Sequence, residues 1–279
     1  MKFINKKEQL KKSNFFSNFL SAIACALREK RSIKKALKGL PSAPPRHMPE
    51  HLFDEYTLNG QILVGDYYLN NVSNSEHERV FTMQAYENAL KALGNGRFDY
   101  YGVTLDWLLS ALGEHDISGK TVCVFGATSV NCDAISLYKG ASKVYILEYN
   151  PVLSEHPLVE CLSYKDYIEK GIKCDVGISV SSFEHDGLGR YGDPLNPNGD
   201  LETMKLVKQL IKQNGLLFLS VPMGRDVIAW NAHRIYGKIR FPMLIQGWET
   251  LGSYGFSEDM FERKPTVDAC HPVFVLQNI

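Results

Sequence analysis

"CDVGISVSSFEHDGLGRYGDP", residues 174–194, is the stretch that decides the fold. Its first seven residues form an apolar run in which Val176, Ile178 and Val180 fit a buried strand. Ionisable residues and glycines follow at once, from Glu184 to Asp193. In an open α/β sheet the ligand site lies beyond the carboxyl ends of the strands, so this pattern predicts a functional loop there.

Other short apolar runs lie before and after this stretch, and helix-like segments separate them. The runs predict strands at 121–127, 143–150, 158–162 and 215–222, with helices from 128 to 138 and over 164–169 and 201–212. Strands that alternate with helices predict right-handed crossovers and a mostly parallel, Rossmann-like α/β sheet. Residues 248–254 and 272–277 have no crossover helix between them, so they predict an antiparallel hairpin that closes the sheet.

The chain divides into three predicted parts. Residues 1–49 are a basic helical arm, with a helix over 14–38, that ends in a proline-rich linker. Residues 50–119 are a helical region that packs on the core, irregular over 51–75 and helical over 76–93 and 98–112. Residues 120–279 are the α/β domain.

Charge is distributed unevenly along the 279 residues, although the formal net charge is zero. Residues 1–49 carry 12 lysines or arginines and 2 acids, whereas the rest carries 19 basic and 29 acidic residues. This asymmetry predicts that the basic helix contacts a membrane surface or a partner protein, or is a solvated basic face. We expect a small-molecule substrate, and we do not expect specific nucleic-acid binding.

The six cysteines include no CxxC pair, which predicts reduced thiols, no zinc site and a cytoplasmic protein. The alternative is the secretory pathway, because "FFSNFLSAIACA" at 15–26 has a basic flank and mimics a weak signal or anchor. A metal site built from His185, Asp186, Asp193 and His233 is also considered, but their spacing matches no metal motif.

Glu148 ends the second predicted strand, about 20 residues after a glycine turn, where an acid commonly holds a ribose diol. The alternative is an exposed acid at a strand end. The turn "VFGATSVNCD" has a single glycine, Gly126, where a dinucleotide site has three. This favours a cofactor without a pyrophosphate, such as S-adenosylmethionine, over NAD or FAD.

From about Thr121 to Ile279 the chain resembles the class I S-adenosylmethionine-dependent methyltransferases. "ISVSSFEH" is similar to the end of their fourth strand, and "GWETLGSYGF" with "HPVFVLQN" is similar to their closing hairpin. "HDGLGRYGDP", "VPMGRD" and "WNAHRIYG" resemble an uncharacterised domain family inside that superfamily. The departure is at Ala127, Thr128 and Ser129, which replace expected glycines.

The resemblance implies a methyltransferase-type sheet and an S-adenosylmethionine site. It implies that Ser163 to Asp166 lie near the adenine and that Ser181 to Glu184 line the floor beneath the methyl group. The implied cofactor-binding residues are Gly126, Ala127, Thr128, Glu148, Asp166, Ser181 and Ser182.

Glu184 and His185 are the candidate catalytic bases, and the alternative for both is a structural hydrogen bond. Arg190 either binds an anion or forms an internal bridge to Asp193 that shapes the loop. "WNAHRIYG" is interpreted as a helix, so that Asn231 shares one face with Arg234, and His233 with Tyr236. The alternative is that these side chains cap and anchor the following loop. The candidate substrate-binding residues are Asp186, Arg190, Tyr191, Asp193, Asn231, His233 and Arg234.

Three functions follow as expectations. The first is a methyltransferase that acts on a small polar acceptor, such as a sugar or glycan precursor. The second is a non-catalytic Rossmann-like binding or scaffold module with a degenerate cofactor site, which is favoured if a side chain fills the space beside Glu148. The third is a nucleotide-sugar or dinucleotide enzyme, which fits Glu148 but lacks the phosphate loop.

Overall fold

A computed structural model describes residues 3–4, 43–72, 79–96, 102–150, 152–266 and 269–279. The predicted helix over 14–38 lies outside these residues, and so do the expectations that rest on it. The three-part division of the chain stays a prediction. Every helix in the described part is too short or too polar to cross a membrane.

A seven-stranded sheet forms the centre of the molecule. Its strands are β4 (Thr121–Phe125), β5 (Lys143–Leu147), β7 (Val159–Leu162), β8 (Cys174–Val180), β9 (Ile211–Ser220), β12 (Trp248–Tyr254) and β13 (Val273–Asn278). They lie in the order β12-β13-β9-β8-β4-β5-β7. The five strands from β9 to β7 are parallel, whereas β13 pairs antiparallel with both β9 and β12. This confirms the predicted mostly parallel sheet with its closing hairpin, which is the methyltransferase-type arrangement.

Helices cover both faces of the sheet. Successive side chains of a strand point to opposite faces, so each strand contributes to both apolar layers. Val122 and Val124 of β4 pack with α2 (Met83–Gly94), α3 (Val103–Glu114) and α4 (Cys132–Tyr138). Cys123 and Phe125 pack on the other face, with α5 (Tyr164–Glu169), α6 (Gly199–Leu210) and α7 (Arg240–Leu244). The two apolar layers fix the sheet from both faces, so the carboxyl ends of its parallel strands lie side by side along one edge.

A second sheet was not expected from the sequence. Its strands are β1 (Phe3–Ile4), β2 (Leu63–Tyr67), β10 (Val227–Asn231) and β11 (His233–Ile235), in the order β1-β2-β10-β11. Together with α1 (Glu50–Tyr56), it buries a separate apolar cluster. Two interpretations are therefore wrong: the stretch 51–67 contains α1 and β2 rather than irregular structure, and "WNAHRIYG" is a strand pair rather than a helix.

The start of the predicted helix over 76–93 also needs correction. Residues 79–81 form a short strand, β3 (Arg79–Phe81), which pairs in parallel with β6 (Val152–Ser154). The helix begins only at Met83, where the Thr82 hydroxyl accepts a hydrogen bond from the Ala85 amide. This places Arg79 on a strand beside the central sheet.

Candidate functional site

The predicted cofactor residues other than Asp166 follow β4, β5 and β8, which are neighbours in the sheet. Gly126 lies between the other two strand ends: its amide donates to the Leu147 carbonyl at the end of β5. On its other side, a Cβ added to Gly126 would lie 2.0 Å from the Ser182 hydroxyl, just after β8. The structure therefore brings Gly126, Glu148 and Ser182 together at one edge.

Gly126 has two independent reasons to be glycine. Its φ of +71° is in the left-handed region, and Ser182 occupies the position of a side chain.

We expect Gly126→Ala to lower the free energy of unfolding by about 2–5 kcal/mol, from backbone strain and overpacking. Urea denaturation followed by circular dichroism measures this loss. Gly113→Ala, in open space on α3, is the matched control and should stabilise the fold by about 0.5–1 kcal/mol. Equal effects of the two changes would contradict the assignment.

The turn after Gly126 is held by its neighbours. The Ala127 carbonyl accepts a hydrogen bond of 2.8 Å from Arg79, and the Ser129 hydroxyl accepts one of 2.9 Å from Asn131. Thr128 is exposed. No side chain of this turn reaches Glu148 among the contacts of the described residues, but Arg79 does.

Glu148 forms an ion pair that the sequence did not reveal. Its Oε2 lies 3.2 Å from Arg79 Nη2, and its side chain is 14% exposed. Its Oε1 accepts hydrogen bonds from the amides of Tyr149 and Asn150. Because Oε2 has one described partner, it keeps a lone pair for a ligand hydroxyl. Arg79 was not predicted as a site residue, because its position was assigned to a helix.

Aromatic residues pack beside Glu148. The rings of Tyr149 and Tyr164 stack with centroids 4.8 Å apart, and Tyr164 stacks in turn on Phe125 at 6.4 Å. Asp166, predicted to bind cofactor, instead pairs with Ser163: the Ser163 hydroxyl donates to Asp166 and accepts from its amide. Ser163 is thus the N-cap of α5, and Asp166 is its partner in the first turn.

Glu184 is fully buried after β8, in a short 3₁₀ turn that spans Phe183–His185. The Ser181 hydroxyl donates to Glu184 Oε1 at 2.6 Å, whereas Oε2 has no hydrogen-bond partner among the described residues. Burial raises the pKa of Glu184 to about 7, although Ser181, Arg190 and Arg234 oppose the shift. Glu184 can therefore gain or lose a proton near neutral pH.

His185 lies against Glu184 in a fixed orientation. Its Nδ1 is 2.6 Å from the Ala232 carbonyl, so Nδ1 carries the proton and Nε2, 3.8 Å from Glu184 Oε1, is an acceptor. Burial and then the charge of Arg190 lower the pKa of His185 to about 3. A neutral imidazole with so low a pKa is a weaker base than Glu184 at neutral pH.

Arg190 does not bridge to Asp193, which was one of its two predicted roles. Its guanidinium bonds to Asn71 Oδ1 at 2.9 Å and to the Ala232 carbonyl at 3.3 Å, and it lies over the Tyr191 ring. Asp193 accepts from the amides of Gly189 and Tyr191 instead. The loop is therefore shaped by Asp193 and its own backbone, and Arg190 ties it to Asn71.

The anchor of this loop is Arg234, which was predicted to contact substrate. It is 1% exposed, and its guanidinium donates to four carbonyls of the loop, those of Glu184, Asp186, Asn196 and Pro197. Asp200 accompanies it, with Arg240 paired to the same carboxylate at 2.5 Å. A substrate cannot reach Arg234, so its role is structural.

Asn231 and His233 lie on the second sheet, next to Ala232. Asn231 is buried and its Oδ1 accepts from the Leu69 amide, so it joins two segments of the fold. The His233 ring lies 6.2 Å from that of His185, and burial lowers its pKa to about 4. The structure thus places His233, but not Asn231, among the candidate site residues.

Asp186 accepts a hydrogen bond of 2.6 Å from Thr203, and burial raises its pKa to about 8. A carboxyl whose folded pKa lies above its unfolded value stabilises the fold at low pH and loses that contribution as pH rises. We expect Asp186→Asn to flatten the decline of unfolding free energy between pH 5 and 8, by up to about 1.4 kcal/mol per pH unit. Urea titrations of both proteins across this range measure it. Parallel curves would contradict the assignment.

In the described part of the chain, no group of three or more His, Cys, Asp or Glu side chains is arranged to hold a metal ion.

The sequence profile of a family described as "Caenorhabditis protein of unknown function, DUF268" matches residues 119–267, just over half of the chain. The chain therefore belongs to this family. A comparison with curated proteins finds no match.

Solved structures with a similar fold include several methyltransferases. A Streptococcus mutans protein described as S-adenosylmethionine-dependent is 12% identical, with a TM-score of 0.41; the match covers 62% of this chain and 48% of that protein, about half its length. The 1,6-didemethyltoxoflavin N1-methyltransferase of Burkholderia thailandensis is 13% identical, with a TM-score of 0.47 and coverage of 69% and 86%. The N-methyltransferase NodS of Bradyrhizobium japonicum is 9% identical, with a TM-score of 0.43 and coverage of 63% and 94%. The order and directions of the seven strands by themselves define the fold class.

Proposed function

We propose that this protein is an S-adenosylmethionine-dependent methyltransferase that acts on a small polar acceptor, with a sugar or glycan precursor as the class we favour. One observation carries the proposal: Glu148 and Glu184 follow the two strands on either side of β4, close to the residues that Gly126 contacts. Glu148 follows the residue to which the Gly126 amide bonds, and Glu184 lies two residues after Ser182, which Gly126 touches. Glu148 is placed to bind the hydroxyls of a ribose, and Glu184 is placed to take a proton from the methyl acceptor.

The residues present fit the cofactor. Glu148 Oε2 can accept a ribose hydroxyl beside Arg79, and Gly126 and Ala127 offer backbone to the amino-acid part. When bound, the cofactor would supply an electrophilic methyl group on sulfur. This chain's part is to hold the acceptor in line and to take its proton at Glu184 Oε2, while the Ser181 hydroxyl holds Glu184 Oε1 and His185 stays neutral beside it. Positioning of this kind can lower a barrier by about 7–11 kcal/mol at best.

Calorimetric titration with S-adenosylhomocysteine tests the cofactor assignment. We expect the native protein to bind and Glu148→Ala to bind at least about tenfold more weakly, a loss of roughly 1.4 kcal/mol. Glu160→Ala is the matched control, because Glu160 lies on the adjacent strand β7 in a solvent-screened pair with Lys143. Folded native protein that gives no heat and no thermal shift at millimolar ligand would rule out the cofactor.

A second candidate function is a binding module whose cofactor site is closed. It is favoured by Arg79 beside Glu148 and by the direct stacking of Tyr149 on Tyr164. In that case the ion pair belongs to the fold, and Arg79→Ala would not improve ligand binding. If the protein is an enzyme, a ribose hydroxyl uses the lone pair that Glu148 Oε2 keeps beside Arg79, so the native chain should bind S-adenosylhomocysteine with Arg79 in place.

A further inference from the structure

Three of the buried polar atoms that have no partner among the described residues belong to side chains around one spot. They are Glu184 Oε2, His233 Nε2 and His271 Nδ1. Buried polar atoms are nearly always hydrogen-bonded, and leaving one unpaired costs about 1–3 kcal/mol. Three such atoms close together indicate a ligand that completes their hydrogen bonds.

Contacts and electrostatic effects place the three residues together. Burial and then the nearby His271 imidazole lower the pKa of His233, and His271 also acts on His185. Ser181 donates through its hydroxyl to Glu184 and through its amide to the Ser220 carbonyl, and the Ser220 hydroxyl donates to the His271 carbonyl. His185 links the other side, 3.8 Å from Glu184 and 6.2 Å from the His233 ring. The group therefore lies at the ends of β8 and β9, on the side of Gly126 away from Glu148.

The chemistry of the group selects among acceptors. Burial lowers the pKa of His233 and of His271 to about 4, so both imidazoles are neutral at pH 7, and each nitrogen can donate or accept according to its tautomer. The positive charge of Arg190 acts on His185 and His233, which disfavours an ammonium group. The carboxyl of Glu184 disfavours an anion. Neutral hydroxyls, which both donate and accept, satisfy all three atoms.

We propose that Glu184, His233 and His271 form a subsite that binds adjacent hydroxyl groups of a neutral, sugar-like acceptor. This deepens the proposed function and, as far as methyl transfer is concerned, rests on it. One hydroxyl oxygen forms a bond to the methyl carbon, the methyl–sulfur bond breaks with its electron pair left on sulfur, and the hydroxyl proton passes to Glu184. His233 and His271 fix which hydroxyl is presented.

The subsite is tested without turnover. Native protein labelled with ¹⁵N-histidine is titrated with methyl glucoside, glucosamine and glucuronic acid at millimolar concentration, and the imidazole nitrogen shifts are followed by NMR. We expect the neutral glycoside alone to move the signals of His233 and His271, while exposed His51 does not move. His233→Ala and His271→Ala should each weaken glycoside binding about tenfold or more, and His51→Ala should leave it unchanged.

The two proposals fail separately. Glycoside binding without S-adenosylhomocysteine binding would keep the subsite and overturn the methyltransferase. S-adenosylhomocysteine binding with no imidazole shift for the glycoside would overturn the subsite alone. Stronger shifts with glucosamine or glucuronic acid would overturn the neutral-hydroxyl assignment. Because the native protein carries the NMR readout, poor folding of a variant does not leave the proposal undecided.

Discussion

Asp200→Asn is expected to lower the free energy of unfolding by about 3–5 kcal/mol, the usual loss when one partner of a buried ion pair is removed. Asp200 is fully buried, and its carboxylate receives Arg240 at 2.5 Å, Arg234 at 3.6 Å and the Tyr236 hydroxyl at 3.0 Å. The substitution leaves two buried guanidinium groups without a counter-charge. Urea denaturation at pH 7 measures the loss.

Glu262→Gln is the control for Asp200→Asn, because Glu262 pairs with Lys238 on the surface, where both side chains are more than half exposed. We expect no measurable change from it. Burial alone would raise the pKa of Asp200, but Arg234 and Arg240 hold it below its ordinary value. The stabilisation by the ionised Asp200 is fully present above the pKa that Asp200 has in the unfolded chain, and it is lost as pH falls through the folded pKa. The difference in unfolding free energy between the native protein and Asp200→Asn should therefore become smaller in acid. A gap that is constant down to acid unfolding would contradict the ion-pair assignment.

Glu184→Gln is expected to lower kcat by roughly 10²–10⁴-fold, the contribution of a general base, with little loss of stability. Glutamine keeps the acceptor for the Ser181 hydroxyl and removes only the ionisable oxygen. Because burial raises the pKa of Glu184 to about 7, native activity should increase as pH rises through 7 and the carboxyl loses its proton. The variant should lack this increase. Initial rates of methyl transfer between pH 5 and 9 measure both effects.

Glu202→Gln is the matched control, since Glu202 is exposed on nearby α6 and its side chain accepts a hydrogen bond from Asn196. It should retain native rates and the native pH profile. If Glu184→Gln were as active as native, or kept the rise near pH 7, Glu184 would not be the base. A higher KM in Glu184→Gln with unchanged kcat would instead indicate that Glu184 binds substrate.

Local sequence patterns predicted the central sheet well, because the apolar sequence of each strand is enough to indicate that the strand is buried. "TVCVF" in β4 and "DVGISV" in β8 are apolar on both faces, and such runs between helices fit only a covered parallel sheet. The same reasoning failed for "WNAHRIYG", where pairs of polar residues three apart suggested a helix. Its strand conformation depends on pairing with β2, which lies more than 150 residues earlier in the chain.

The candidate site was predicted in part for the same reason. Glu148, Ser182 and Glu184 could be placed from the sequence, since the ends of adjacent parallel strands necessarily meet at one edge. Arg79 and His271 could not, because each reaches the site from a distant segment through tertiary contacts, with no local signal in its own neighbourhood.

The sequence by itself determined the strands of the central sheet, the helices between them, and the edge of that sheet where polar groups gather. Only the tertiary structure decided what those groups do. Arg234 and Arg190 lie in equally polar stretches, yet one is enclosed with Asp200 and the other packs over Tyr191 at the loop surface. Burial and the choice of partner set the charge state and the reach of an ionisable side chain, and both depend on residues that are remote in sequence.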